Sequence, residues 1–221
     1  LYKQLIKMKD LSNYRKSYEK SELLENSIPE DPINLFHRWF FEAEELNAAE
    51  EVNAMTVNTI GLDGFPKARI VLLKKFNEEG FIFYTNYNSE KGKAILNNPQ
   101  VCLSFFWPTV ERQIIIKGIA EKTSNTISDN YFASRPDGSK LGAIVSPQSE
   151  IIPDRTLLEN NLKQLEKDFE GKEILRPAHW GGFLVRPVEV EFWQGRPNRL
   201  HDRIRYQLQD NYEWKIERLS P

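Results

Sequence analysis

The chain has 221 residues, of which 40% are hydrophobic and 28% are charged, and its formal net charge is -2. This composition is typical of a folded protein rather than a disordered one, and the near balance of charge argues against a general nucleic-acid binder. A single cysteine, Cys102, excludes an intrachain disulfide and a thiolate metal cluster, and without a membrane-length apolar run or a signal-peptide core we expect a cytoplasmic location.

The first third of the chain predicts an arm followed by a helix. Residues 1–30 are rich in Lys, Glu, Ser and Asn, which predicts a partly mobile N-terminal arm before a single domain over 31–221. Asp31 and Pro32 are residue types favoured at an N-cap and at the first helical position. Apolar residues at helical spacing then predict an amphipathic helix over about 32–46.

The middle of the chain predicts β-structure. Short alternating runs bounded by turn residues indicate strands. These strands are predicted at 54–60, 67–76, 81–85, 100–107 and 111–122. Between the third and fourth of them, Ser89 is the predicted N-cap of a short helix that Asn97, Asn98 and Pro99 end.

The remaining chain predicts two helices and a return to the sheet. The helices are expected at 124–134 and 154–170, joined by a loop. A β-hairpin follows, with alternating runs on both sides of a turn at 195–198, and a last strand lies near 212–219. Seven or so strands without obligatory crossover helices predict a mainly β fold, an antiparallel sheet closed into a barrel with flanking helices. No glycine-rich turn of the dinucleotide-binding type follows a strand.

The hairpin turn carries an unusual set of side chains. If the hairpin is regular, Arg199, His201 and Arg203 project from one face, where they repel one another unless an anion or carboxylate lies between them. Trp193 beside these guanidinium groups suits a planar, phosphorylated ligand. The alternative is an exposed edge strand whose charges discourage aggregation.

Two other segments could bind anions. Arg69 and Lys74 flank an apolar strand and point to opposite faces of a regular strand, so they could serve two anions or could be cations at the ends of a core strand. Lys91 follows Ser89 in the first turn of the short helix, where unpaired N–H groups favour a phosphate, although an ordinary helix cap has the same residues.

A third segment has the donors that a phosphate monoester needs. Tyr131, Arg135 and Ser139 recur at four-residue spacing and could converge on one oxyanion, although each type is also common on surfaces. Gln113, Gln148 and Ser149 could hydrogen-bond the edge of a heteroaromatic ring, which is a weak signal. No Ser/His/Asp or Cys/His set is evident, and no metal-ligand spacing occurs.

Taken together, these motifs resemble the pyridoxamine 5'-phosphate oxidase family. The resemblance extends from about residue 15 to the C-terminus, and its most specific part combines Trp193, Gln194 and Gly195 with the run from Arg199 to Arg203. The resemblance implies an FMN-binding split β-barrel, a homodimer with two FMN molecules at the subunit interface, and no nucleic-acid or membrane partner. It also implies oxidation of pyridoxamine or pyridoxine 5'-phosphate to pyridoxal 5'-phosphate, in vitamin B6 biosynthesis and salvage, with O2 reduced to H2O2.

The resemblance also implies roles for individual residues. The implied FMN contacts are Arg69, Ile70, Val71, Leu72, Leu73, Lys74, Tyr84, Thr85, Lys91, Gln113, Gln148, Ser149, Trp193 and Arg203. The implied substrate contacts are Arg15, Lys16, Ser17, Tyr18, Lys74, Tyr131, Arg135, Ser139, Arg199, Leu200 and His201. Among these, Arg199 and His201 are the implied catalytic residues near the reacting carbon.

One position departs from the family pattern, since Glu90 stands where many members have Arg before the helix lysine. This departure removes one cation from the implied FMN-phosphate site. Two other functions remain open from the sequence. One is an FMN split-barrel oxidoreductase with another substrate, and the other is a non-catalytic module that binds FMN or pyridoxal 5'-phosphate.

Overall fold

The computed structural model describes residues 9–221, which form one curled antiparallel sheet with helices packed against it. Residues 1–8, which belong to the predicted arm, lie outside the described residues. The strands are β1 Ala54–Ile60, β2 Pro66–Leu72, β3 Lys75–Asn77, β4 Gly80–Asn86, β5 Gln100–Trp107, β6 Arg112–Lys122, β7 Trp180–Gln194, β8 Asp202–Leu208 and β9 Trp214–Leu219. The helices are α1 Pro32–Glu45, α2 Glu90–Asn97, α3 Asn125–Ala133, α4 Asp137–Val145 and α5 Arg155–Asp168.

The nine-stranded sheet has the order β2-β1-β5-β6-β7-β4-β3, with β8 and β9 added beside β7. Its longest strand, β7, pairs with β4 near its start and with β8 near its end, while β6 follows it on the other side. The sheet curls so that its two ends meet, where Lys74 N donates to Ile82 O over 2.8 Å. The predicted mainly β, antiparallel fold is confirmed.

Helix α1 covers the inner face of the sheet. The Asp31 carboxylate accepts a hydrogen bond from Ile33 N over 2.7 Å, and Pro32 opens the helix as the sequence predicts. Phe36 is fully buried and its ring lies edge-on to Phe81, with 4.9 Å between the centroids. Burying one such aromatic side chain contributes about 1.5–3 kcal/mol, so α1 and the sheet share one core.

The segment between α3 and α5 corrects one sequence prediction. It was expected to be a loop, but it contains α4, with Pro136 at the N-cap. Gly138 and Gly142 lower its intrinsic helix propensity, which hides the helical pattern from sequence. Packing decides the conformation instead, because Leu141 is buried against Trp180 and Phe132 in a second, smaller core.

The strand predicted over 67–76 and the regular hairpin also require correction. The first is divided into β2 and β3, because Leu73 turns inward and its N–H donates to Asn53 O over 2.8 Å. In the hairpin, Asn198 and Arg199 have positive φ angles of 57° and 63°, and β8 begins only at Asp202. The hairpin is therefore not regular here. The prediction that Arg199, His201 and Arg203 project from one face assumed a regular hairpin and loses its basis.

Among the described residues, none of the helices combines the length and the apolar character needed to cross a membrane.

Candidate active site

A cavity of about 730 Å³ opens between the sheet and helices α2, α3 and α4. Residues from five separate parts of the chain line it, and they include eleven of the predicted ligand contacts. The lining residues are Ile70, Val71, Leu72, Lys74, Tyr84, Thr85, Asn86, Lys91, Tyr131, Arg135, Pro136, Ser139, Gly142, Ala143, Ser146, Gln148 and Trp180. The structure thus brings the strand after Arg69, the start of α2 and the segment from Tyr131 to Ser139 to one place.

One end of this cavity holds the predicted phosphate donors. Tyr131 lies near the end of α3, and Ser139 lies in the first turn of α4, so the unpredicted helix is what brings Ser139 close to Arg135. The Arg135 guanidinium carbon lies 4.6 Å from the centroid of the Trp180 ring, which holds the side chain in a cation–π contact. A guanidinium fixed in this way is already oriented for an oxyanion.

Three aromatic rings form the wall behind Arg135. Tyr84 stacks on Tyr131 with 3.8 Å between centroids, and Trp180 lies nearly parallel to both. Burial raises the pKa of Tyr84 and of Tyr131, so both hydroxyls stay protonated and can donate. Within residues 9–221, the buried Tyr84 Oη and Arg135 Nη1 have no hydrogen-bond partner. Buried polar atoms are normally paired, so these two indicate a ligand with acceptor atoms.

The other end of the cavity lies at the start of α2. Ser89 caps this helix by accepting from Gly92 N, as predicted, and Lys91 Nζ donates to Thr85 Oγ1 over 3.2 Å and to Gln148 Oε1 over 3.1 Å. Arg69 lies nearby and donates from Nη1 to Thr59 Oγ1 over 2.7 Å. A lysine, an arginine and a helix N-terminus are therefore available to an anion here.

The charges at this end influence one another. Burial lowers the pKa of Lys91, the charge of Arg69 lowers it further, and the charge of Glu90 opposes both. The pKa of Arg69 is also lowered by burial, and Glu90 again acts in the opposite direction. Two partly buried cations that disfavour each other gain when a dianion enters between them.

A second cavity of about 520 Å³ lies between the arm and the hairpin turn. Its lining consists of Tyr14, Arg15, Lys16, Ser17, Tyr18, Arg196, Asn198, Arg199 and His201. Arg199 makes no ion pair within the described part of the chain, unlike Arg196 and Arg203. The predicted arm contacts and the two predicted catalytic residues thus lie together.

His201 is held in one orientation. Its Nδ1 accepts a hydrogen bond from Arg196 N over 3.1 Å, and its ring packs on Trp193 with 4.7 Å between centroids. Burial lowers the pKa of His201 and the neighbouring Arg199 lowers it further, against the opposing charge of Asp202. The neutral ring therefore carries its proton on Nε2 and can donate a hydrogen bond from that atom.

The arm is fixed by a residue that sequence reasoning did not single out as functional. The side chain of Glu111 is 2% exposed, and its Oε2 accepts from Glu19 N over 2.9 Å and from Lys20 N over 3.1 Å, while Oε1 lies 3.2 Å from Lys16 Nζ. Burial alone would raise the pKa of Glu111, but these donors together lower it. Its positive φ of 59° is the only unusual feature, and no sequence pattern reveals it.

Three predicted FMN contacts form a row across the sheet outside both cavities. Gln113 of β6 is opposite Trp193 of β7, which is opposite Arg203 of β8, so their side chains share one face. The Arg203 guanidinium donates to both carboxylate oxygens of Glu191, from Nε over 2.8 Å and from Nη2 over 3.1 Å. The Glu191 carboxylate therefore already accepts hydrogen bonds from two of the Arg203 guanidinium nitrogens.

Most of the predicted site residues thus lie in two separate cavities of one chain or in this row across the sheet. The cavity at Arg135 and the cavity at His201 have no lining residue in common. Of the remaining predictions, Ser149 lines a smaller cavity that shares Gln148 with the first, Leu73 packs in the core at 4% exposure, and Leu200 is 68% exposed. In the described residues, no group of three or more His, Cys, Asp or Glu side chains could hold a metal ion.

Two family models match the chain. Residues 42–167 match the model described as pyridoxamine 5'-phosphate oxidase, and residues 180–221 match the one described as the pyridoxine 5'-phosphate oxidase C-terminal dimerisation region. The first range contains Arg135 and most of the lining of the large cavity, and the second contains Arg199 and His201 of the other cavity.

Curated relatives cover nearly the whole chain. The pyridoxine/pyridoxamine 5'-phosphate oxidase of Flavobacterium johnsoniae is 76% identical over 96% of this chain and 100% of its own length. The enzyme of the same name from Flavobacterium psychrophilum is 71% identical over 97% of this chain and 100% of its own length.

Solved structures match the fold as well. PhzG from Burkholderia lata, solved with tetrahydrophenazine-1-carboxylic acid, has a TM-score of 0.83 and 28% identity, covering 90% of this chain and 98% of that one. A pyridoxamine 5'-phosphate oxidase-related, FMN-binding protein from Nostoc punctiforme has a TM-score of 0.69 at 16% identity, covering 88% and 100%. The latter likeness concerns the fold alone.

Proposed function

The chain belongs to the pyridoxine/pyridoxamine 5'-phosphate oxidase family, and we propose that it oxidises both of these phosphorylated vitamers to pyridoxal 5'-phosphate with O2 as the electron acceptor. It is an oxidoreductase, and FMN is its cofactor. With the alcohol, the substrate loses two hydrogens and O2 becomes H2O2. With the amine, water also enters and ammonia leaves. The pathway role, in vitamin B6 biosynthesis and salvage, and the cytoplasmic location stay parts of this proposal.

The single observation that supports the substrate class is the set of hydrogen-bond donors around Arg135 in the large cavity. Arg135, Tyr131, Ser139 and Lys74 offer two cations and two hydroxyl donors around one space, and Arg135 Nη1 is buried without a partner in the described chain. A phosphate monoester carries about -1.5 to -2 charge at pH 7 and three acceptor oxygens, which this set matches. Binding energy at the phosphate, remote from the reacting carbon, can then orient the ring.

The part of the cavity at the start of α2 fits FMN. Lys91, Arg69 and the N-terminus of α2 would hold its phosphate, while Thr85, Gln148 and the β2 backbone would line its other parts. The fit rests on the mutually unfavourable cations and on the unpartnered Tyr84 hydroxyl in the same cavity. FMN, when bound, would supply the acceptor for the hydride, which carries both electrons away from the substrate.

The remaining catalytic groups would come from a second copy of the chain. The Arg135 cavity and the His201 cavity have no lining residue in common, and residues 180–221 match a region described as a dimerisation region. We therefore propose a homodimer in which Arg199, His201 and the arm of one copy complete the large cavity of the other. Trp193, Gln113 and Arg203 would reach FMN from the same side.

The residues have distinct chemical tasks in this arrangement. Arg199, which makes no ion pair among residues 9–221, would contact the substrate near the reacting carbon. His201 would donate from Nε2 to the substrate rather than accept a proton there, because Nδ1 is occupied by the Arg196 N–H. The arm, held by Glu111, would cover the substrate and exclude water.

One alternative has a specific observation in its favour. PhzG, which shares 28% identity, was solved with a phenazine carboxylic acid that has no phosphate group. An oxidase for such a substrate would leave the donors around Arg135 without a phosphate. Oxidation of pyridoxine 5'-phosphate, in contrast, would use all of these donors.

An anaerobic spectral experiment separates these functions. Purified protein should show the visible absorption of FMN, and addition of pyridoxine 5'-phosphate without O2 should bleach it, whereas pyridoxine lacking the phosphate should not at the same concentration. Admission of air should restore the colour and yield one H2O2 per aldehyde formed. Bound FMN that the phosphorylated substrate does not bleach would refute the proposed substrate, and bound FMN without any turnover would indicate a binding module.

A further inference from the structure

Glu90, the first residue of α2, forms an ion pair with Lys67 of β2. The distance between Lys67 Nζ and Glu90 Oε2 is 2.5 Å. Lys67 and Arg69 are two residues apart on one strand and therefore project from the same face. Arg69 Nη1 also donates to the Lys67 carbonyl oxygen over 2.7 Å, which ties the two residues together.

Three cations surround the Glu90 carboxylate in this arrangement. Lys67 contacts it directly, Lys91 is its neighbour on α2, and Arg69 lies close enough for Glu90 to oppose the lowering of its pKa. The carboxylate lines the small cavity that adjoins the large one at Gln148, the residue to which Lys91 donates. The charge cluster thus lies beside the start of α2, where the FMN phosphate is proposed to bind.

Lys67 raises the net positive charge of this cluster, while Asp63, Lys93 and Glu150 line the rest of the small cavity. Three cations and one carboxylate give a net charge of +2, whereas the cluster without Lys67 would have +1. A phosphate monoester carries about -1.5 to -2 at pH 7. The side chains of Lys67 and Glu90 are 56% and 45% exposed, and an exposed pair of this kind contributes little to folding stability.

We propose that Lys67 is a specificity-determining residue that supplies a third cation to the phosphate of FMN, and that Glu90 positions its ammonium group for this task. Strand β2 thereby adds a cation beside the start of α2. The inference rests on the proposed function, because it requires that the large cavity binds FMN at this end. It predicts that Lys67 contributes to the recognition of the phosphate and not of the flavin ring.

A ligand comparison tests this role without measuring activity. FMN and riboflavin, which differ by the phosphate, are titrated into apoprotein by flavin fluorescence for wild type, Lys67→Met, Glu90→Gln and the double variant. Lys67→Met should weaken FMN binding about three- to tenfold and leave riboflavin binding unchanged, since an exposed cation gives a modest contribution. The loss should persist, at about twofold or more, in the Glu90→Gln background, and FMN affinity should depend less on salt.

The double variant separates this role from simple charge neutralisation. If Lys67 only neutralises Glu90, Lys67→Met will have no effect once Glu90 is replaced, and the proposal falls. It falls equally if Lys67→Met leaves FMN affinity intact or weakens riboflavin binding to the same extent. Lys117→Met is the matched control, because Lys117 is 59% exposed and pairs with Glu189 over 2.7 Å on another part of the sheet.

The same titration distinguishes a failure of the phosphate site from a failure of the role of Lys67. Wild type that binds FMN no more tightly than riboflavin would overturn the phosphate site itself and the proposed function with it. If wild type prefers FMN strongly over riboflavin and the Lys67 variants retain this preference, only the role of Lys67 is overturned. Thermal unfolding of each apoprotein verifies that the exposed substitutions leave the fold intact.

Discussion

The ring of Tyr18 in the arm packs edge-on against the indole of Trp193 at the end of β7, with 5.6 Å between the centroids and 88° between the planes. Gly195 provides the space for this contact, because a Cβ at that position would lie 2.7 Å from Tyr18 Cγ. Glu111 holds the next two residues of the arm through their N–H groups. The arm therefore has a defined place beside His201 and Arg199.

Gly195→Ala should displace the arm while leaving the sheet intact. The added Cβ would also lie 3.1 Å from Glu111 Cβ, so neither neighbour can yield without moving the arm. We expect faster tryptic cleavage at Arg15, Lys16 or Lys20 and a higher KM for the phosphorylated substrate. Gly138→Ala is the control, since a Cβ there meets nothing within 4 Å. Cleavage at the wild-type rate in Gly195→Ala would show that Tyr18 is not held by this contact.

Glu111→Gln should release the arm, because a neutral amide is a weaker acceptor for the N–H groups of Glu19 and Lys20. The pKa of Glu111 is lowered in the folded protein, so arm docking is fully supported above the ordinary carboxyl pKa of about 4.3 and is lost as the pH falls through the lowered value. Hydrogen exchange at residues 16–20 between pH 3 and pH 7 measures this. Glu19→Gln, at an exposed position, is the control. Equal protection at both pH extremes would contradict the role of Glu111.

Arg135→Ala should raise KM about 10- to 100-fold for pyridoxine 5'-phosphate, since the loss of one charge-assisted partner costs about 1.5–3 kcal/mol. FMN should remain bound, because Arg135 lies between α3 and α4 and is not among the cations at the start of α2. Steady-state kinetics and the absorption of the purified variant measure the two effects. Arg155→Ala, 87% exposed on α5, serves as the control. Loss of FMN with an unchanged KM would place Arg135 in the cofactor site instead.

His201 should remain neutral, with its proton on Nε2, throughout the neutral pH range. Its pKa is lowered by burial and by Arg199, and Nδ1 accepts from Arg196 N. Nitrogen-15 NMR of labelled histidine should therefore show an unprotonated Nδ1 at pH 7, with His201→Gln used to assign the signal. We also expect His201→Gln to lower kcat more than it alters FMN affinity. A protonated Nδ1 would contradict the hydrogen-bond donor role of Nε2.

Much of the fold was predictable from local patterns. Asp31 before Pro32, Ser89 before α2 and the alternation that leads to Phe192 are signals that act within a few residues of themselves. Helix α4 was missed because its glycines weaken the local signal, while the burial of Leu141 against Trp180 involves residues distant in sequence. Tertiary packing overrode propensity at that point.

The site was predictable as a set of residue types but not as an arrangement. The spacing of Tyr131, Arg135 and Ser139 indicated a phosphate site, yet only α4 explains how Ser139 comes near Arg135. Glu111 and Lys67 were missed, because a buried carboxylate that accepts backbone N–H groups and a lysine paired with Glu90 have no sequence signature. Both depend on contacts between distant segments.

In the proposed homodimer, each active site combines the Arg135 cavity of one chain with the His201 hairpin of the other, and mixed dimers test this arrangement. Arg135→Ala and Arg199→Ala variants are first assayed separately, where each should be nearly inactive at low substrate concentration. They are then unfolded together, refolded with FMN at equal amounts and assayed again. Random pairing makes about half of the dimers mixed, and each mixed dimer would contain one intact site, so about a quarter of wild-type activity should return. No recovery, despite mixed dimers demonstrated by differently tagged chains, would show that both residues serve the same site within a single chain.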